Sequence, residues 1–67
     1  MKKTIAVIAY NLGKICSEKP ENLSFPIASI MGELIDLCDQ FDIPREIANI
    51  NLARGISNQP MFTELDE

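Results

Sequence analysis

The chain has no histidine and no tryptophan, only two cysteines, and a single tyrosine among its 67 residues. Each shortage excludes something. Without histidine, the usual general base and the usual zinc ligand are missing. Cys16 and Cys38 cannot supply a zinc site by themselves, and a nucleophilic cysteine would lack its histidine partner. Two cysteines are also far too few for a disulfide scaffold. No run approaches the ~20 apolar residues of a membrane-spanning helix. No repeat and no low-complexity stretch is present. These absences argue against an enzyme, a metal centre and a bound cofactor.

The length allows one domain. So small a domain buries only about 60% of the surface of its unfolded chain, and usually needs a staple. Yet 46% of the residues are hydrophobic. With no metal and no disulfide framework, a second chain is the expected staple. The net charge of -4 is unevenly spread. Residues 1–20 hold four lysines and one acid, and residues 21–67 hold two arginines and nine acids. An acidic body repels nucleic acid and suits a basic protein surface.

The opening MKKTIAVIAY resembles a secretory leader. A leader core needs about 7–15 apolar residues and a small-residue cleavage site. Here Tyr10, Asn11 and Gly13 interrupt the run, and Lys14 ends it. Ile5, Ile8, Ala9, Leu12, Ile15 and Cys16 instead recur at helical spacing. The segment therefore reads as a helix over about 3–17 of a cytoplasmic, reduced protein.

Pro20 ends that helix, and Asn22 or Ser24 offers a cap for the next. The second helix is expected over about 25–40, with Pro26 in its first turn. Its apolar set of Ile27, Ile30, Met31, Leu34, Ile35, Leu37, Cys38 and Phe41 is wide enough to make it the central element. Gly32 in mid-helix suggests close approach of another helix, including a symmetry mate. Pro44 opens a third helix over about 44–57, capped by Asp42 or Ile43 and ended by Gly55 or Asn58. Asn49 and Asn51 are expected to face water. Residues 1–59 then form one all-α domain of three short helices, followed by an acidic, hydrophobic tail over 60–67. The architecture expected is a helical homodimer, intertwined or side by side, meeting through Ile27, Met31, Gly32, Leu34, Ile35 and Cys38.

Glu33, Asp36, Asp39 and Asp42 recur every third residue. Neither a calcium loop nor a Glu-x-x-His site is formed, so the group is read as a solvated acidic face. Glu33, Asp36 and Asp39 on that face, with Met61, Phe62 and Leu65 in the tail, are the candidate partner-binding residues. PREIANINLARGISNQPMFTEL resembles a helix-turn-helix, which is the rival reading as a DNA-binding regulator. The segment in the place of a recognition helix, Asn58–Glu67, contains Pro60, three acids and no base, and Gly55 falls seven residues after Ala48 instead of about four. Base readout calls for basic and amide side chains aimed at a groove.

IMGELIDLCDQFDIP followed by IANINLARGI resembles the small, three-helix, dimeric YejL-like family of bacterial proteins. The resemblance covers about half of the chain and rests on helix periodicity with one glycine and one proline. The spacing after Pro44 and the first helix depart from that family. By elimination, the expected function is a non-catalytic protein–protein interaction module. An inhibitor or accessory subunit of a larger protein fits best, of the kind that phage and mobile elements direct against host or defence enzymes.

Overall fold

The computed structural model describes residues 1–18 and 26–62. Three helices account for most of them: α1 (Lys2–Glu18), α2 (Ile27–Gln40) and α3 (Glu46–Ile56). No strand occurs among the described residues. No helix among the described residues is long and apolar enough to cross a membrane. The all-α expectation holds, and the helix ends fall within two residues of where spacing and prolines place them.

The pairing of the helices differs from expectation. The central contact is between α1 and α3, not around α2, which touches each of the others more sparsely. Two glycines explain this. A Cβ added to Gly13 would overlap the carbonyl oxygen of Leu52 and lie 2.8 Å from the Ile56 nitrogen. A Cβ added to Gly55 would overlap the carbonyl oxygen of Tyr10 and lie 3.0 Å from the Gly13 Cα. The two backbones therefore meet where neither residue has a side chain. Gly55 does not end α3 but sits inside it, at the crossing. Gly32, by contrast, has nothing within 4 Å of its would-be Cβ. Within the chain it marks no close approach.

Small residues continue the contact. Ala6, Ala9 and Ala48 are fully buried, and Ile5, Ile43 and Ile47 close around them. From α2, Leu34 and Cys38 reach this core, with Met31, Ile35 and Leu37 packed at its margin. Only the middle line of α2's wide apolar stripe is fully buried, which is why it is a flank and not a centre.

Both later helices end in the same way. Asp42 and Asn58 each adopt φ near 60°. The Ile43 amide donates to the Cys38 carbonyl at 2.8 Å, and the Gln59 amide to the Arg54 carbonyl at 2.8 Å. These six-to-one bonds are Schellman closures, with Asp and Asn in the left-handed position that glycine usually fills. The Asn58 stop agrees with the sequence reading. Asp42, however, closes α2 and does not cap α3. Ile43 joins the core, and α3 starts one turn on, after Arg45 at its N-cap. Pro26 stands at the N-cap of α2, not within its first turn. The expected caps Asn22 and Ser24 lie outside the described residues.

The glycines give two predictions of opposite sign. Gly13→Ala forces backbone against backbone and should destabilise the fold by about 1–3 kcal/mol or more. Gly32→Ala meets open space in a helix and should stabilise it by about 1 kcal/mol. Thermal melts followed by circular dichroism check both; equal effects would contradict this packing.

Candidate interaction surface

A polar side chain sits in the core. Asn51, expected to face water, is fully buried. It lies on the same row of α3 as Ile47 and Gly55, four residues from each. Its Nδ2 donates to the Ile47 carbonyl at 2.9 Å, and its Oδ1 accepts from the Phe62 backbone amide at 2.9 Å. A buried amide is tolerable only when so paired. The pairing also holds the chain beyond α3 against the body.

Three further contacts secure that return segment. The Tyr10 hydroxyl donates to the Gln59 carbonyl at 2.7 Å. Lys14 Nζ donates to Asn58 Oδ1 at 2.7 Å. The Arg54 guanidinium lies over the Phe62 ring, 5.4 Å from its centroid. Met61 and Phe62 are consequently half-buried, with Phe62 packed on the core of its own chain. Leu65, the third candidate of the tail, lies outside the described residues. So does half of the segment that a helix-turn-helix would need for recognition; its described part, Asn58–Phe62, is not helical.

The acidic face is divided. Glu33 and Asp36 are exposed. Asp39 is also exposed but is engaged by Arg45 side-on, through Nε at 2.9 Å and Nη2 at 2.6 Å. That paired hydrogen bond holds the Asp39 carboxyl below its usual range and raises the Arg45 guanidinium. Asp39 thus faces a cation of its own chain, which the Asp36 charge also reaches, and Glu33, Asp36 and Asp42 stay exposed, as does Gly32. Among the described residues, no group of three or more potential ligands is gathered to hold a metal ion.

Of the expected dimer residues, Leu34 and Cys38 are buried in the intrachain core, Ile27, Met31 and Ile35 are half-buried, and Gly32 is exposed on the polar side. Burial pushes the Cys38 thiol up, and the Asp39 charge adds to it. A buried, protonated thiol is a small hydrophobe.

The surface that sequence reasoning missed is on α1. Val7, Ile8 and Ile15 are each between 39 and 42% exposed. The helical spacing had placed Ile8 and Ile15 on the same face as Ile5, Ala9 and Leu12. At 3.6 residues per turn, however, positions 5, 9, 12 and 16 share one line and positions 8 and 15 lie about 80° from it. Ile5, Ala9 and Leu12 are buried, and Ile8 and Ile15 are not. Lys3, Thr4, Val7 and Ile8 surround a shallow, open depression on this outer face.

Two predictions follow from the polar contacts. Asn51→Ala leaves the Phe62 amide without its acceptor, so it should cost about 1–3 kcal/mol and remove exchange protection at that amide. A protected Phe62 amide in the variant would contradict the latch. For Asp39, the folded carboxyl titrates below the unfolded one. Its contribution to stability is therefore present above the unfolded value and is lost as pH falls through the folded one. Carboxyl NMR titration should show the depressed Asp39 value return to the ordinary range in Arg45→Gln.

No protein-family model, no curated protein and no solved structure matches this chain, so the likeness of Ile30–Ile56 to YejL-like proteins remains one of helix periodicity.

Proposed function

We propose that the protein is a non-catalytic protein–protein interaction module, an inhibitor or accessory subunit that works as a homodimer and binds a larger protein. The observation that carries this reading is the character of its surface. Met1, Val7, Ile8, Ile15, Phe41 and Ile56 are 39–50% exposed in a chain of 67 residues. Single exposed hydrophobics are ordinary, but three of these line one face of α1. The amount of surface is not the reason. An accessible area of 4391 Å² is close to the roughly 4,200 Å² of a folded monomer of this mass. The argument lies in which side chains that surface carries.

Glu33 and Asp36 supply the charged part. They stand outward on α2 and suit a basic surface of the larger partner. The described structure offers little for catalysis: Cys38 is buried, and the depression on α1 is shallow with one lysine at its edge. For the DNA reading, both arginines are already engaged within the chain, Arg45 by Asp39 and Arg54 over Phe62.

Affinity capture from the native host, with mass spectrometry of the bound proteins, tests the proposal. The double reversal Glu33→Lys with Asp36→Lys should reduce capture of the larger partner about tenfold or more while the thermal melt stays unchanged. Unchanged capture would exclude this edge of α2, and binding of duplex DNA at low salt would favour the regulator reading instead.

A further inference from the structure

The segment beyond α3 is a strap laid back over the body. It reverses at Asn58, and the Phe62 amide meets Asn51, about 10 Å back along the α3 axis. Its seat is built by the body. Tyr10 donates to the Gln59 carbonyl, Arg54 Nη1 to the Pro60 carbonyl, and Asn51 accepts from the Phe62 amide. The Phe62 ring packs on the core and under the Arg54 guanidinium. Every one of these partners is in place before the strap arrives, so the same segment of a second copy fits the seat equally well.

The reversal depends on one residue. Asn58 adopts φ of 60°, a conformation that asparagine tolerates and that a straightened chain does not need. Gln59 follows it and precedes Pro60, which biases Gln59 toward extended backbone. The end of α3 around this point is open. Ile56 is 48% exposed, and residues 57–60 are exposed.

We propose that the protein dimerises by exchanging straps, with residues 59–62 of each copy seated on the body of the other. The exchange requires one change of backbone, at Asn58. A two-fold axis beside the ends of α3 sets the two α3 helices antiparallel, C-terminus facing C-terminus. A strap that runs straight on from one α3 then travels backward along the other. That is the direction the strap takes after its reversal in the single chain. The dimer forms the seat contacts twice and brings together the two exposed Ile56 side chains. The facing ends of the helices are negative ends of macrodipoles, and each is offset by Arg54 in the last turn and by Lys14 beside Asn58. The occupant is a second copy because its strap carries, by identity, every group that the seat engages. This inference rests on the homodimer part of the proposed function and is independent of the edge of α2 carrying Glu33 and Asp36.

Sedimentation equilibrium on the full chain, from about 5 to 500 µM, tests it together with NMR on a mixture of differently labelled chains. The chain should dimerise in this range, and an NOE between copies should join Phe62 of one to the Asn51 side-chain amide of the other. Asn58→Gly and Asn58→Ala remove the same side chain and differ in how readily they hold a positive φ. Asn58→Gly should favour the closed monomer and Asn58→Ala the exchanged dimer, with dissociation constants at least about tenfold apart. A chain that stays monomeric throughout, in Asn58→Ala as well, overturns both the exchange and the homodimer reading. A dimer without the NOE between copies, or one equally strong in the two variants, overturns the exchange and leaves the homodimer to another face.

Discussion

The contact between Gly13 and Gly55 sets the rest of the structure. Because neither has a side chain, α1 and α3 meet backbone to backbone, and the positions on either side must also be small or slim. Ala6, Ala9 and Ala48 meet that requirement and are fully buried. Close packing of this kind leaves little room between the two helices, so α2 cannot lie between them. It lies against their common side through Leu34 and Cys38, and its outer positions stay half-covered. The same contact brings the end of α3 beside the middle of α1. That is what allows Tyr10 to reach Gln59 and Lys14 to reach Asn58.

The connections serve this arrangement with few residues. The turn from α2 to α3 is closed by Asp42 in a left-handed conformation, and Ile43, next in line, becomes part of the core. The segment after α3 begins with the same closure at Asn58 and is then held by Asn51, deep in the core. A buried amide that bonds one backbone carbonyl and one backbone amide ties the return segment to α3 in a single register. An apolar side chain there would fill the same space but leave the Phe62 amide without an acceptor.

Much of the fold was legible in the sequence, for identifiable reasons. Pro20, Pro26 and Pro44 bracket the helices, and apolar spacing gives each one a buried side. Spacing says which side is buried but not against which neighbour. So Gly32 drew the expectation of a close approach that Gly13 and Gly55 in fact make. Residue type alone points Asn51 outward, although its row with Ile47 and Gly55 places it inward. Ile8 and Ile15 share the apolar spacing of the core line of α1 but diverge from it by most of a quarter turn, so spacing alone does not separate the outer face from the buried one. Asp39 was legible as acidic and on the surface; its capture by Arg45, six residues on, depends on how the turn at Asp42 folds back.

The central claim is that α1 and α3 form the stable unit and α2 is attached to it. Native-state amide hydrogen exchange, resolved residue by residue, tests this most directly. Amides in the middle of α1 and α3 around Gly13 and Gly55 should exchange only through global unfolding, and those of α2 should exchange through a lower-energy opening. Protection of α2 equal to or above that of α1 and α3 would contradict the account.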